Sequence, residues 1–304
     1  MLSVIIPVYD ESEVLEIGAV RTGKALESAG IDYELIYIDD GSTDGTWEKI
    51  CALYENDRRI KGVRFSRNFG KDAAIFAGLK RCRGDCAAVI DADMQHPPEK
   101  LVEMYHLWEQ GFEVVEGVKS SRGKEGKLHK ACANLFYKMM SAVTRLDMRN
   151  ASDFKLLDRK VVNALIKMPE HRMFFRTLSS WVGYKSCTVA YDVEQRAGGE
   201  TKWSTYKLMK YAMSSVTSFT ARPMQIVTGC GVVVFAISVF VGIWSLVDKI
   251  VGRAIEGMTT VIFLLLFIGS IIMMSLGIIG YYIARIYEEV QARPRYIVDE
   301  FLDG

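Results

Sequence analysis

The pattern of apolar and polar residues divides the chain into two unlike parts. From residue 1 to about 220, short β-rich runs alternate with helical stretches, which is typical of an α/β domain with a mostly parallel sheet. From Met224 to Tyr287, charged residues are almost absent outside one short patch. The overall hydrophobic fraction of 50% therefore describes neither part.

The first part predicts five strands and four helices in alternation. The strands are expected at Leu2–Val8, Tyr33–Ile38, Lys61–Phe65, Cys86–Ile90 and Phe112–Val118. The first helix is expected at Glu11–Ala29 with Ser12 as N-cap, and the second begins after Thr43 or Asp44 as N-cap and ends at about Asn56. The third is expected at Lys71–Cys82, and the fourth from Pro97 to about Gln110. Ligands bind beyond the carboxyl ends of strands in such sheets. Three acidic clusters follow strands and are the first functional signal: Tyr9-Asp10-Glu11, Asp39-Asp40 and Asp91-Ala92-Asp93.

Two long apolar runs follow, Met224–Val247 and Met258–Ile283. Each is long enough to cross a hydrocarbon core of about 30 Å, and the short polar link Asp248–Gly257 predicts a helical hairpin. The positive-inside rule places both ends of the hairpin and the α/β domain in the cytoplasm, which predicts a multi-pass protein of the cell (inner) membrane. The basic residues that flank the hairpin are Lys202, Lys207, Lys210, Arg222, Arg285, Arg293 and Arg295.

The segment before the hairpin predicts an amphipathic helix over residues 204–222, with Leu208 and Val216 on one side and Lys207 and Lys210 on the other. Such a helix lies in the headgroup region or packs on the domain. The expected domains are therefore an α/β domain (1–203), an interfacial helix (204–222), a transmembrane hairpin (223–287, spans at about 224–247 and 258–284) and a cytoplasmic tail (288–304).

Charge and cysteine usage exclude some classes of protein. The net charge of +1 gives no global field for nucleic acid, so no nucleic-acid partner is expected. The six cysteines contain no C-x-x-C pair, which favours reduced thiols over a zinc site. The N-terminal run MLSVIIPVYDE reads as a first strand rather than as a signal peptide.

The segment Asp91-Ala92-Asp93-Met94-Gln95 is the sharpest candidate for chemistry. Alternate side chains of an extended segment point the same way, so Asp91, Asp93 and Gln95 are expected to converge. Three oxygen ligands suit Mg²⁺ or Mn²⁺, which also takes phosphate oxygens and water. The alternative is a solvated acidic turn.

A set of motifs follows in order along the chain: S-V-I-I-P-V-Y-D-E, I-D-D-G-S-T-D-G-T, N-F-G-K-D-A-A, D-A-D-M-Q-H-P-P-E, A-S-D-F-K-L-L-D-R, R-x-x-G-x-T-K and R-P-R-Y. With them the chain resembles family 2 glycosyltransferases, specifically the polyprenyl-phosphate branch of dolichyl-phosphate mannose synthases and bacterial undecaprenyl-phosphate glycosyltransferases. The resemblance implies a GT-A fold, a nucleotide-sugar donor, a polyprenyl phosphate acceptor at the lipid bilayer, inversion at the anomeric carbon, and Mg²⁺ or Mn²⁺ as cofactor.

The resemblance also implies roles for single residues. The nucleotide-sugar would be bound by Pro7, Tyr9, Glu11, Asp39, Asp40, Lys71 and Asp91. The metal would be held by Asp91, Asp93 and Gln95, and the lipid phosphate by Arg122, Arg196 and Lys202. The catalytic residues would be Asp153 and Asp93.

Asp153 matches the position usually assigned as the catalytic base. A phosphate monoester has a second pKa near 6, so the acceptor is already mostly dianionic at pH 7 and scarcely needs a base. Asp153 could instead orient a sugar hydroxyl or a cationic neighbour.

The expected reaction is transfer of a hexose, with UDP-glucose and undecaprenyl phosphate as the first choice. Donors such as GDP-mannose, UDP-N-acetylglucosamine or a UDP-aminoarabinose type are alternatives. A processive polysaccharide synthase is disfavoured because no Q-x-x-R-W motif is present, and an inactive membrane-tethered scaffold is disfavoured by the intact acidic motifs. Gly269, Gly277 and Gly280 permit close helix packing, so a homo-oligomer is possible.

Overall fold

The computed structural model describes residues 1–120, 152–168, 174–192 and 257–303, together with a few isolated positions between 233 and 251. The chain forms two compact units. The first contains Met1–Ala212 and Pro294–Gly304, and the second contains Met213–Arg293.

The first unit is built on an eight-stranded sheet in the order β7-β5-β6-β4-β1-β2-β3-β8. β1 pairs in parallel with β2 and β4, β2 with β3, and β5 with β7, whereas β6 and β8 run antiparallel to their neighbours. The strands are β1 (Leu2–Val8), β2 (Tyr33–Asp39), β3 (Ile60–Phe65), β4 (Cys86–Val89), β5 (Val114–Lys119), β6 (Lys155–Asp158), β7 (Ser186–Tyr191) and β8 (Val298–Leu302). The predicted GT-A-like α/β fold with a mostly parallel sheet is confirmed.

The first four helices of this unit alternate with the parallel strands as the sequence predicts, and two further helices, beyond the four that the sequence predicts, lie between β6 and β7. They are α1 (Leu15–Ser28), α2 (Thr46–Asn56), α3 (Lys71–Arg81), α4 (Lys100–Glu109), α5 (Arg159–Ile166) and α6 (Phe175–Trp181). The N-cap prediction for α1 is wrong, because the helix begins at Leu15 and the backbone N–H of Ser12 donates instead to Asp44 in the neighbouring loop. The N-cap of α2 is Gly45, with φ of 87°, and Asp44 accepts a hydrogen bond from the backbone of Thr46.

The centre of the sheet is covered on both faces. Every residue of β2 is buried, as is every residue of β4. Parallel strands of this kind lie between helices and read as continuous apolar runs. The ends of β1, β2 and β4 therefore project from the buried centre of the sheet.

The strand order sets the position of the candidate site. β1 lies between β2 and β4: the chain runs from β1 to β2 and β3 on one side, and the next crossover, from β3 to β4, returns to the other side of β1. In open α/β sheets, ligands bind at this reversal, outside the carboxyl ends of the strands. The antiparallel strand β6 pairs Lys155 with Val89, so the residues that precede β6 lie next to those that follow β4.

The last strand, β8, was not predicted. The sequence predicts a cytoplasmic tail over residues 288–304, whereas the structure places Val298–Leu302 of this segment on the edge of the sheet, antiparallel to β3. A strand of five residues after a long apolar helix gives too weak a local pattern for recognition.

The second unit contains α7 (Met258–Val290). A helix of 33 residues is roughly 50 Å long, and its Phe267–Val290 part is long and apolar enough to cross a membrane, with none of its most apolar stretch buried. This candidate span overlaps the predicted second span at 258–284. Of the predicted first span at 224–247 the structure describes eight scattered positions, so the two-helix hairpin stays a prediction.

Candidate active site

The loops after β1 and β2 are joined by hydrogen bonds. The backbone N–H of Asp10 donates to Ser42 Oγ at 2.9 Å, and that of Glu11 donates to Thr46 Oγ1 at 3.1 Å. Asp10 Oδ1 in turn accepts from the backbone of Thr43 at 3.0 Å. The two predicted nucleotide-binding motifs therefore form one structured rim, with Tyr9 39% exposed at its edge.

Gly41 explains why the D-D-G-S motif needs a glycine. Its φ is +74°, and a Cβ built on it would lie 2.6 Å from the carbonyl carbon of Arg67. The loop after β2 thus passes against the backbone of the loop before α3.

Asp40 connects these two loops. Its carboxylate accepts hydrogen bonds from the backbone N–H of Phe69 at 2.6 Å and of Gly70 at 2.9 Å. Burial raises the pKa of Asp40 to about 6, although these hydrogen bonds oppose the rise. Both oxygens of Asp40 thus hold the start of α3, and a contact of Asp40 with a base stays a prediction.

Asp39 has a different environment. Its side chain is fully buried, and Oδ1 accepts from the backbone N–H of Ser42 at 2.9 Å. Oδ2 lies 3.7 Å from Arg64 Nε and has no hydrogen-bond partner among the described residues. Burial raises the pKa of Asp39. At the end of β2, the Oδ2 atom of Asp39 is therefore a buried hydrogen-bond acceptor with no donor among the described residues.

The structure gathers four charged side chains at the ends of β4, β6, α3 and α6. Lys71 Nζ, at the first residue of α3, lies 2.5 Å from Asp91 and 3.1 Å from Asp153. Arg176 in α6 contacts Asp153 at 2.8 Å. The sequence predicted Lys71, Asp91 and Asp153 as site residues, and the structure brings them together.

Arg176 was missed by the sequence analysis. It lies on a seven-residue helix, separated by more than 20 residues from the A-S-D-F-K motif that it contacts. A lone arginine on a short helix carries no spacing signal. Only the packing of α6 reveals its contact with Asp153.

The cluster stays charged at neutral pH. Burial acts to raise the pKa of Asp153, but Lys71 and Arg176 outweigh it and hold this pKa well below its usual range. The pKa of Asp91 is likewise lowered, with Lys71 outweighing burial. Burial opposes the charge of Lys71, yet the carboxylates of Asp91 and Asp153 raise its pKa overall.

The segment after β4 differs from the predicted extended arrangement. It turns after Ile90, Met94 has a positive φ of 59°, and Asp93 Oδ1 accepts from the backbone N–H of Gln95 at 3.1 Å. The predicted extended conformation is therefore wrong, because the segment is a turn. The convergence of Asp91, Asp93 and Gln95 on a metal stays a prediction.

His96 holds this turn through a hydrogen bond to its backbone. Its ring nitrogen Nδ1 accepts from the backbone N–H of Asp91 at 3.3 Å, and its ring stacks on Phe154 with centroids 4.9 Å apart. Burial lowers the pKa of His96, so the imidazole is neutral and can accept this hydrogen bond. His96 therefore contacts both acidic motifs, because Asp91 belongs to the D-A-D-M-Q motif and Phe154 to the A-S-D-F-K motif.

The donor chemistry of the cluster fits a hard divalent cation. Asp91 and Asp153 already contact one cationic group, the ammonium of Lys71, from two sides. Within the described ranges, no three acidic, histidine or cysteine side chains form a complete metal cage. Mg²⁺ commonly takes one or two carboxylates and completes its shell with phosphate oxygens and water, so ligation by Asp91 and Asp93 stays a prediction that this chemistry supports.

A buried lysine supports Asp153 and Arg176. Lys155 is fully buried, and its ammonium lies 2.9 Å from Ser179 Oγ, 3.1 Å from Ser180 Oγ and 3.3 Å from the carbonyl oxygen of Arg176. It also pairs with Glu116 at 3.2 Å. Lys155 thus fixes α6, and with it Arg176, against the sheet.

The predicted lipid-phosphate residues Arg122, Arg196 and Lys202 lie outside the described residues, as does the predicted helix at 204–222. Their role stays a prediction.

Comparison with known proteins assigns the family. Residues 3–166 match the family described as "Glycosyl transferase family 2". The chain is 37% identical to the uncharacterized glycosyltransferase sll0501 of Synechocystis sp., over 98% of this chain and 95% of that protein. It is 35% identical to the prophage bactoprenol glucosyl transferase homolog of Escherichia coli (strain K12), over 98% of each chain.

A second bactoprenol glucosyl transferase and a more distant solved structure are also similar to this chain. The bactoprenol glucosyl transferase of Shigella phage SfX is 34% identical over 98% of each chain. The solved structure of glucosyl-3-phosphoglycerate synthase from Mycobacterium tuberculosis is 17% identical with a TM-score of 0.49, covering 72% of this chain and 79% of that chain. The family match extends over the ends of β1, β2 and β4 and the acidic motifs described above, and it shows that this chain belongs to glycosyltransferase family 2.

Proposed function

We propose that this protein transfers glucose from UDP-glucose to undecaprenyl phosphate, with inversion, at the cytoplasmic face of the cell membrane. The observation that carries the proposal is the cluster of Lys71, Asp91, Asp153 and Arg176 at the strand ends. Two relatives that match nearly the whole chain are named bactoprenol glucosyl transferases or homologs of one, which supports the lipid acceptor and the sugar.

The donor would lie across the ends of β1, β2 and β4. The buried Oδ2 atom of Asp39 can accept the ring N–H of a uracil base, while Pro7, Tyr9 and Glu11 line the adjacent rim. Asp91 and Asp93 would hold Mg²⁺ or Mn²⁺, which when bound neutralises the diphosphate leaving group. Lys71, which pairs with Asp91, would contribute a second positive charge to the diphosphate.

Asp153 acts by position rather than as a base in this proposal. Its carboxylate contacts two cations, and its low pKa makes it a poor proton acceptor. The acceptor phosphate is already mostly dianionic at pH 7 and attacks without deprotonation. Asp153 therefore holds Lys71 and Arg176 where they can bind phosphate oxygens, and catalysis rests on positioning and charge.

Chain connectivity supports the proposed membrane arrangement. Residues before 213 and after 293 belong to one compact unit, and β8 is hydrogen-bonded to β3. A chain that leaves a folded unit, enters a bilayer and returns to the same unit crosses it an even number of times. α7 would account for one crossing, which supports the apolar run Met224–Val247 as the second in this proposal.

Thiol labelling tests this topology. In a cysteine-free background of sealed cells, Arg253→Cys in the link is expected to react with an impermeant reagent, and Asp299→Cys in β8 is expected to react only after permeabilisation. Equal protection of both positions would refute the hairpin.

The activity is tested with detergent-purified protein, undecaprenyl phosphate, Mg²⁺ or Mn²⁺ and a panel of UDP- and GDP-sugars, with the lipid product detected by mass spectrometry. Lipid-linked glucose from UDP-glucose is expected. Asp153→Asn should lower kcat by at least 100-fold, whereas the exposed Asp192→Asn should not change it. Product from a different donor would replace the sugar in the proposal, and no lipid product from any donor would refute it.

A further inference from the structure

The chain that follows the membrane helix returns to the nucleotide end of the sheet. α7 ends at Val290, and β8 pairs with β3 so that Glu300 stands opposite Arg64. On its other side, β3 pairs with β2 so that Arg64 stands opposite Asp39. Asp39, Arg64 and Glu300 thus form one row across three adjacent strands.

The contacts within this row are unequal. Arg64 lies 3.0 Å from Glu300 Oε1 but 3.7 Å from Asp39 Oδ2. Glu300 Oε2 accepts a hydrogen bond from Trp47 Nε1 at 3.0 Å, so both oxygens of Glu300 are held. The guanidinium of Arg64 is therefore directed toward the outer carboxylate rather than the buried one.

This inequality leaves one oxygen of the buried inner carboxylate without a hydrogen bond. A separation of 3.7 Å is longer than a hydrogen bond, and Asp39 Oδ2 is buried without a hydrogen-bond partner among the described residues. Arg64 is nevertheless close enough to lower the pKa of Asp39 against the effect of burial. Asp39 thus remains an acceptor whose charge is balanced but whose oxygen is not occupied.

We infer that Glu300 is a positioning residue for nucleotide binding: it holds Arg64 back from Asp39 and so keeps Asp39 Oδ2 available for a base N–H. The inference rests on the proposed function, because it takes Asp39 as the base acceptor. It also gives the segment after the membrane helix a part in donor recognition.

A purely structural role for Glu300 is separable, because β8 has other anchors. Asp303 pairs with Arg83 at 2.5 Å and with Lys61 at 3.3 Å, and Arg81 lies 3.9 Å over the ring of Phe301. These contacts remain when the charge of Glu300 is removed. Glu300→Gln keeps the shape of the side chain and an acceptor for Trp47, so the strand should stay docked.

The experiment measures UDP binding by calorimetry, and donor KM and kcat, in the full-length protein. Glu300→Gln is expected to weaken UDP binding about tenfold, which corresponds to about 1.4 kcal/mol, and to raise KM with kcat within about twofold. The matched control is Asp299→Asn, the adjacent exposed carboxylate of β8, which should leave both unchanged.

A double-mutant cycle identifies the route of the effect. Because Glu300 acts through Arg64, Arg64→Met/Glu300→Gln should bind UDP as Arg64→Met does. Additive losses in the double variant would overturn the inference, and so would a Glu300→Gln variant that binds UDP like Asp299→Asn. Failure of the proposed function is distinguishable, since wild-type protein would then bind no UDP and Asp39→Asn would change nothing.

Discussion

Lys155→Met tests the claim that a buried ion pair supports the active site. The variant replaces a fully buried ammonium that contacts Glu116, two serine hydroxyls and the carbonyl oxygen of Arg176. Methionine fills a similar volume but offers no donor. The carboxylate of Glu116 loses its cation as a result, and the oxygen atoms around the ammonium lose a shared donor.

The magnitude follows from what is left behind. Removing one partner of a buried ion pair costs about 3–5 kcal/mol. The Glu116 side chain is 18% exposed and keeps a hydrogen bond from the backbone of Ser152 at 2.8 Å. The lower end, about 3 kcal/mol, is therefore expected. For a domain of about 200 residues this corresponds to a fall in Tm of about 6–12 °C.

The assay is thermal unfolding in detergent, followed by tryptophan fluorescence. The control is Lys160→Met, whose ammonium is 73% exposed and 3.5 Å from Glu113; its Tm should change by no more than about 2 °C. The double variant Lys155→Met/Glu116→Gln should recover part of the loss, because no unpaired charge remains. A Lys155→Met protein that melts like the Lys160→Met protein would refute the reasoning.

Three further outcomes are expected. Gly117→Ala places a Cβ against the ring of Phe154 and should destabilise the protein by about 1–3 kcal/mol. Its control is Gly18→Ala in α1, where the added Cβ would meet only Met94 Sδ, at 3.4 Å; this variant should be neutral or stabilising in the same melting assay. The pKa of Asp40 is raised to about 6 in the folded protein, so the contribution of this carboxyl group to stability is fully present below about pH 4 and is lost as the pH rises through about 6. The Tm of wild type relative to Asp40→Asn should therefore rise as the pH falls from 7 to 5. A Tm difference that does not change with pH would contradict the raised pKa. Removal of divalent cations with EDTA should abolish transfer, and Mg²⁺ or Mn²⁺ should restore it in wild type but not in Asp93→Asn; activity that persists in EDTA would exclude the metal.

Sequence pattern alone predicted the parallel half of the sheet, because its signals are local. β1 to β4 and the helices between them begin and end within a few residues of their predicted positions. Continuous apolar runs bounded by turn residues depend on neighbours in the chain, so each can be recognised without the rest of the fold. The acidic residues at the strand ends follow from the same pattern.

The errors arose where local pattern and tertiary contact compete. Ser12 has the chemistry of an N-cap, yet its backbone N–H is used by Asp44 from another loop, and α1 begins later. The D-A-D-M-Q segment has the alternation of a strand, yet it turns and Asp93 caps the backbone of Gln95. In both cases the segment makes a hydrogen bond to a specific partner and does not adopt the structure that its weak local preference favours.

The sequence by itself determined the α/β order, the acidic strand-end motifs, the long apolar helix and the family. Only the tertiary structure decided that Arg176 meets Asp153, that Lys155 is buried beneath them, and that Glu300 returns to Arg64 from the far end of the chain. These contacts join residues from 21 to 236 positions apart. The antiparallel pairing of β6 with β4 and of β8 with β3, together with the packing of α6, brings these residues together. The register of such strand pairs depends on packing of the whole sheet rather than on any local run of residues.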